Sequence, residues 1–358
     1  MLLKSRDDQP SMTSVSHWLL DILACPMHGE KLTPTSDARL QCAHGHSYPI
    51  VRGVPILFHQ SCVDTIGVMK SSKEIAEQAW SGTFHDQYFV DCVGVSDSER
   101  ALIRELVESN PTIDPVVNVV VAATNGIMYR DSIGKLREYP IPHLRMTCNT
   151  NAEMLLDVGC NWGRWSFAAS RNGFRVVGID PSLGSVMAAK RVASKLGLDA
   201  QFVVGDARHL PFKNDCFDRV FSYSVIQHFS KTDAKTTFAE VGRTLKSGGI
   251  SFIQMPNKFG IRCLQHQAKR SFSEGEGFDV RYYSPSELMG ILQQSVGETS
   301  LSADCFLGIG IQETDFGMMS LSKKLIIIVS GILTRMSRIF MPMVMLADSL
   351  YATSKKSM

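Results

Sequence analysis

No stretch of this 358-residue chain is apolar for long enough to cross a bilayer. The richest run, 325–333, falls far short of the roughly 20 residues a spanning helix needs, and Arg335, Arg338 and Pro342 then interrupt it. The first 16 residues carry Asp7 and Asp8 among scattered Ser and Thr and lack the apolar centre of a secretory signal, so they read as a disordered leader. Charge of neither sign is in excess: 37 Lys and Arg against 35 Asp and Glu leave +2, which predicts neither a nucleic-acid-binding surface nor an acidic shell. The nine cysteines show no even disulfide rhythm, which points to a reducing cytoplasm. Internal repeats and low-complexity tracts are absent. What remains, 44% hydrophobic and 20% charged residues, is ordinary for a globular protein and sufficient for two or three folding units.

The informative stretch is Met154 to Asp180, MLLDVGCNWGRWSFAASRNGFRVVGID. An apolar run, 154–158, enters a turn punctuated by Gly159 and Gly163. A helical pattern over 164–171 closes at Asn172-Gly173, and a second apolar run, 175–179, ends on Asp180. This is one βαβ unit. The glycines remove Cβ atoms that would hold a ligand off the backbone, and the helix start offers free N–H groups. An acid at the second strand tip is placed to bind the two hydroxyls of a ribose, which favours an adenosine-containing ligand.

Asp157 leads the turn, and a carboxylate there would repel a pyrophosphate but tolerate an ammonium and a sulfonium. The spacing D-x-G-x-x-x-G over 157–163 resembles motif I of class I S-adenosylmethionine-dependent methyltransferases. A third glycine usual in that family is here Asn161, the non-glycine residue that best tolerates a left-handed backbone. Further matches follow in order: a third strand ending FVVGDA at 202–207, a fourth over FDRVFSYSVIQHF at 217–229, then EVGRTLKSGG and ISFIQM through 255. The resemblance covers roughly residues 150–256. It implies a Rossmann-like α/β fold with a seven-stranded sheet and S-adenosylmethionine as cofactor. By residue, it implies that Asp157 and the Gly159–Cys160–Asn161–Gly163 backbone orient the cofactor's amino acid end. Asp180 with Pro181 would hold the ribose, Asp206 with Ala207 the adenine, and Ser222 would close the fourth strand under the methyl group. His228, or secondarily Tyr223, would serve as general base for a hydroxyl or protonated amine acceptor.

Residues 17–59 form a separate small unit. Cys25-x-x-His28 and Cys42-x-x-x-His46 are two ligand pairs suited to a tetrahedral structural zinc, with His44 competing for the fourth position. So small a unit buries little apolar surface, and a metal would supply the missing stability. The pattern LLDILACP…YPI…GVPILF resembles the zinc-ribbon proteins that partner tRNA and release-factor methyltransferases, and the finger preceding some ribosomal RNA guanine methyltransferases.

Residues 60–150 read as cap and linker, with helical periodicity over 73–79 and 96–109 and a buried strand or short helix over 116–123. Tyr129, Arg130 and His143 are candidate pocket residues, as are Asn257, Arg262, His266, Arg281 and Tyr283 on the excursion after the fifth strand. Ser284 before Pro285, with Glu287 three residues on, marks a capped helix over 284–294. The core, 151–310, continues to a sixth strand over 299–306, and a closing seventh lies in 346–358. The apolar insert, 311–345, reads as a buried helical hairpin, or else as a membrane-docking, pocket-roofing or subunit-pairing segment with Lys323, Lys324, Arg335 and Arg338 at the lipid headgroups.

The sequence thus predicts a cytoplasmic enzyme, peripherally membrane-associated if the insert meets lipid, that methylates a small-molecule, glycan or lipid-linked acceptor. No NPPY-like stretch follows the fourth strand, which argues against exocyclic-amine methylation in that style. Ribosomal or transfer RNA stays open as an acceptor because of the ribbon. A non-catalytic S-adenosylmethionine-binding subunit is the other alternative, and the oligomeric state is left open.

Overall fold

The computed structural model describes residues 15–358 apart from 62, 63, 65, 66, 110, 151, 152, 309 and 311. The expected leader lies outside them, save Val15, which is buried, and Ser16, which precedes the first helix. Strands are β1 Thr33–Pro34, β2 Arg39–Gln41, β3 Ser47–Val51, β4 Val54–Leu57, β5 Met154–Val158, β6 Arg175–Asp180, β7 Ala200–Gly205, β8 Phe217–Ser222, β9 Leu245–Pro256, β10 Gly297–Cys305 and β11 Ser349–Lys356. They join in one eleven-stranded sheet, in the order β1-β2-β3-β4-β7-β6-β5-β8-β9-β11-β10. The helices used below are α1 His17–Ile22, α2 Val68–Trp80, α3 Asp97–Glu108, α4 Pro115–Asn125, α5 Arg164–Arg171, α6 Leu183–Leu196, α7 Lys231–Thr244, α8 Ile261–Lys269, α9 Pro285–Ser295 and α10 Leu321–Ile339.

The centre of the sheet is parallel from β4 to β9, and β11 and β10 add antiparallel to it. Alternate residues feed opposite faces, as the two-residue period of a strand requires. Leu155, Val176 and Phe202 join one core with α4, α5 and α6, whereas Leu156, Val177 and Val203 join the other with α1, α7 and α9. Both faces are covered, which is why these strands read as continuous apolar runs.

The N-terminal unit is not a separate domain beside a seven-stranded sheet, and this corrects the sequence reading. Its strand β4 lies parallel to β7, with Ile56 opposite Val204 and Leu57 opposite Gly205. Leu19, Leu23, Leu40 and Leu57 share a core with Leu156, Val203 and Phe212, and Ala24 N–H donates to Pro211 O at 2.9 Å. A unit too small to fold alone has extended the main sheet and borrowed its core. The expected zinc ligands lie near one another in part: the His28 ring sits 4.3 Å from His44 and 5.0 Å from His46, while Cys25 Sγ lies 3.2 Å from the Tyr48 hydroxyl. Among the described residues no three His, Cys, Asp or Glu side chains form a group that could hold a metal ion, so a site made by Cys25, His28, Cys42 and His46 is not shown.

Residues 116–123, ambiguous in sequence, lie within helix α4. The Asp114 carboxylate caps it by accepting from Val116 N at 3.0 Å, with Pro115 at the first helical position, and that start signal outweighs the strand preference of a β-branched run. Both expected caps are present further along: Ser96 with Glu99 on α3 and Ser284 with Glu287 on α9 form capping boxes. The insert holds a short 3-10 turn over Glu313–Met318, one α-helix, α10, and a second 3-10 turn over Met341–Leu346, rather than a buried hairpin. No helix among the described residues is long and apolar enough to cross a membrane.

Candidate active site

The sheet changes direction of growth between β5 and β8, and in open α/β sheets ligands bind beyond the strand carboxyl ends at such a point. A cavity of about 460 Å³ opens there, within the range of small-molecule sites. Its floor comes from the tips of the four central strands: Gly159 and Asn161 after β5, Asp180 to Ser182 at β6, Gly205 to Arg208 after β7, and Tyr223 to Val225 after β8. Asp64, Met69, Val93 and Gly94 from the cap segment, with His228, Phe229 and Phe278, complete it.

The glycine turn is built as its spacing predicts. Gly159, Asn161 and Gly163 have φ of 76°, 46° and 85°, all left-handed. Gly159 lines the cavity, and a Cβ on it would come within 2.2 Å of Val225 Cγ2. The glycine therefore serves the packing of the neighbouring loop as well as the open floor. Gly163 does not line the cavity; a Cβ there would strike the Phe167 ring at 2.6 Å.

Asp157 is buried beneath the turn rather than in the cavity. Its Oδ2 accepts from Ser166 Oγ of α5 at 2.6 Å. Burial pushes its carboxyl up to about 7, against the Ser166 hydrogen bond and helped by Asp180. It fixes the turn to the helix start, and its side chain is outside the cavity lining rather than in it as the sequence reading placed it. Cys160 and Ser222 are also buried away from the cavity: Ser222 Oγ donates to Val158 O at 3.1 Å, and Cys160 packs against Gly178.

Asp180 is at the cavity surface. Its Oδ2 accepts from Asn161 N and its Oδ1 from Ser182 N, both at 2.9 Å. Burial raises the carboxyl to about 6, even though these N–H groups favour the ionised form. Each carboxylate oxygen can accept again, which suits a diol. Asp206, on the neighbouring tip, is engaged: Arg208 Nε lies 3.0 Å from both its oxygens and Arg208 Nη2 2.6 Å from Oδ2. Arg208, absent from the sequence-level site, thus covers the acid assigned to the adenine. The only sequence signal was its place two residues after Asp206. Among the lining residues three carboxylates, Asp64, Asp180 and Asp206, face one guanidinium, Arg208, an excess that favours a cationic ligand.

His228 lines the cavity, stacked on Phe278 with ring centroids 3.9 Å apart. Its Nδ1 lies 2.7 Å from Phe278 O, a carbonyl that can only accept, so Nδ1 carries the proton. Nε2 is then the acceptor for Gln227 Nε2 at 3.2 Å. Burial lowers the pKa of this imidazole and Arg281 lowers it further, so it is neutral at pH 7. Tyr223 also lines the cavity, but its hydroxyl donates to Asp304 Oδ2 at 2.7 Å and accepts from Gln312 at 2.9 Å. Burial and the Asp304 charge hold this phenol protonated far above neutral pH, which removes it as a base.

None of the other candidates lines the cavity. Arg281 Nη1 holds the carbonyls of His228, Gly277 and Asp279 at 3.0, 2.7 and 2.6 Å. Asn257 Nδ2 donates to Met345 O and Ala347 O, each at 2.8 Å. Tyr283 is fully buried. Tyr129 joins Arg164 and Asp315 in a buried cluster, and Arg130, His143, Arg262 and His266 are outside the cavity lining.

Residues 155–249 match the model of a family described as a methyltransferase domain. The ubiquinone biosynthesis O-methyltransferase of Ruegeria sp. (strain TM1040) is 26% identical over 150 residues, 39% of this chain and 58% of that protein. The cyclopropane-fatty-acyl-phospholipid synthase of Escherichia coli (strain K12) is 36% identical over 97 residues, 27% of this chain and 24% of that protein. The solved phosphoethanolamine N-methyltransferase 2 of Haemonchus contortus, in complex with S-adenosyl-L-methionine, is 19% identical with a TM-score of 0.40. That match covers 60% of this chain and 50% of the other. The chain thus spans about half the length of these relatives, or less. The likeness to a methyltransferase domain lies over 155–249, from the first strand of the glycine turn to the start of β9.

Proposed function

We propose that this protein transfers the methyl group of S-adenosylmethionine to a hydroxyl or amine of a small-molecule or lipid-linked acceptor. The observation that carries the reading is Asp180: a carboxylate at the tip of β6, pinned by two backbone N–H groups and facing a cavity in which carboxylates outnumber cations. These residues fit the cofactor. Asp180 would take the ribose diol, the left-handed Gly159–Asn161 turn would lie along the amino acid end, and the carboxylate excess would favour the positive sulfur. Asp206 would remain with Arg208. The chemistry S-adenosylmethionine supplies when bound is a methyl already activated on a sulfonium, so much of the rate comes from holding the acceptor in line. The names of the relatives, an O-methyltransferase of ubiquinone biosynthesis and a fatty-acyl-phospholipid synthase, support an oxygen or lipid acceptor.

Calorimetric titration of the purified chain with S-adenosylmethionine and S-adenosylhomocysteine tests the reading. Saturable binding to both is expected, tighter for the charged ligand; no binding to folded protein removes the proposal. The pH dependence adds a second check. Asp180 must be ionised to accept two hydroxyls, and its carboxyl in the free protein titrates near 6. Affinity should therefore fall about tenfold per pH unit below that value and level off above it. A flat profile from pH 5 to 8 would take Asp180 out of the site.

His228 is the residue we assign as base. It is neutral at pH 7, and the amide donating to Nε2 is a partner that an acceptor hydroxyl can displace. His228→Ala should lower turnover of a hydroxyl acceptor about a hundredfold and leave cofactor affinity unchanged. Equal turnover would reduce His228 and Phe278 to a wall of the pocket.

A further inference from the structure

Helix α10 is amphipathic in the reverse sense. The face turned inward carries Ser330, Thr334 and Ser337 beside Ile327, and Ser330 Oγ accepts from Phe306 N at 3.0 Å. The face turned outward carries Leu321, Leu325, Ile328, Ile332, Met336 and Ile339 at spacings of three and four residues, with Ile339 90% exposed. A helix whose partner is water places these residues the other way round.

The apolar surface does not stop at the helix end. Phe340, Met341, Met345 and Leu346 are exposed in the turn that follows. The hydrogen bonds from Asn257 Nδ2 to Met345 O and Ala347 O fasten this turn to the start of α8, where Phe259, Ile261 and Leu264 are exposed in turn. Contiguous apolar patches of this kind mark an interaction surface.

Charge indicates what covers it. Neither 257–272 nor 320–346 contains a single Asp or Glu. Lys258, Arg262, Lys269, Arg335 and Arg338 are exposed there; Lys323, by contrast, is held by Asp131 at 2.8 Å. A second copy of the chain would bring these cations against themselves. An apolar stripe edged with unopposed cations complements a surface that is hydrocarbon within and anionic at the rim. We propose that the outer face of α10, continued through residues 340–346 and the start of α8, docks peripherally on a bilayer bearing anionic phospholipid headgroups. The helix lies on such a surface, since it is not apolar enough to cross it. Helix α8 leaves the carboxyl end of β9, and the same excursion returns through Phe278 at the cavity, so docking brings the cavity mouth near the lipid. The docking does not depend on methyl transfer.

Flotation of the full chain with vesicles of phosphatidylcholine and phosphatidylglycerol, against phosphatidylcholine alone, tests this. The chain should float with the anionic vesicles and be released by raised salt. Arg335→Gln with Arg338→Gln should weaken that association on the order of tenfold. Ile328→Ser, Ile332→Ser and Met336→Ser together should abolish it, with melting temperature and S-adenosylmethionine affinity unchanged because the three side chains are exposed. Absence of flotation with anionic vesicles overturns the proposal, as does equal flotation with neutral ones. A dimer in solution that the triple variant dissolves would also overturn it, making the face a contact between copies.

Discussion

Asp180→Ala is expected to weaken S-adenosylmethionine binding by roughly a thousandfold while the chain stays folded. Hydrogen bonds to a charged group contribute about 1.5–3 kcal/mol each, and a ribose diol makes two. Their joint loss lies near 4 kcal/mol, with each 1.4 kcal/mol a factor of ten. Retained folding follows from the sign of the carboxyl's shift. In the unfolded chain this group gives up its proton near 4; in the folded chain it does so near 6. Between those values the folded state holds more protons, so stability falls as pH rises through the window. Removing the group removes that penalty, and the variant should lose less stability at pH 8 than at pH 4. Asp157, raised to about 7, acts in the same sense. Calorimetry and urea denaturation at two pH values separate the effects. A variant that binds normally, or one that does not fold at pH 8, would contradict this account.

Asp315→Ala should cost about 3–5 kcal/mol of folding stability, although Asp315 does not line the cavity. The side chain is 2% exposed and paired with Arg164, itself 5% exposed, with the Tyr129 hydroxyl on the same carboxylate. Truncation leaves a guanidinium without its counter-charge in the interior. Replacing both partners by apolar residues, Arg164→Met with Asp315→Leu, should restore most of the loss, since the pair itself adds little net stability. Urea denaturation of the two single variants and the double gives the coupling directly. A cost below about 1 kcal/mol for Asp315→Ala would show the pair to be hydrated and dispensable. Because Tyr129 comes from the cap, Arg164 from α5 and Asp315 from the insert, the same measurement reports how strongly those three parts are joined.

What the sequence disclosed and what it withheld divide along a physical line. The βαβ unit was legible almost to the residue: 154–158 is β5, 164–171 is α5, and 175–179 is β6 short of its last residue. Apolar runs, turn glycines and caps act over a few neighbours, and the sequence displays them. The pairings that decide the site act over longer spans. Tyr223 meets Asp304 and Tyr129 meets Asp315 across 81 and 186 positions, and nothing local marks such partners. Asp157 and Asp180 look equivalent as strand acids, yet only packing sends one beneath the turn and the other into the cavity. The inner face of α10 was hidden for the opposite reason. A Ser and Thr stripe reads as a wet surface, and only the fold reveals that it faces in. In the N-terminal unit, ligand-like spacing was visible but the shared core was not, because the neighbouring apolar residues lie more than a hundred positions away.

Strand β4 has a temporal consequence as well as a spatial one. Its partner along the sheet, β7, is synthesised long after it, with the whole cap and the glycine turn between. Contacts of such sequence separation are slow to form, and until β7 arrives the β3–β4 hairpin has an open side. A segment made before the core strands is therefore among the last to be completed. A ribosome-stalled chain ending before residue 200 would carry that edge bare, ready to pair with any other strand it met.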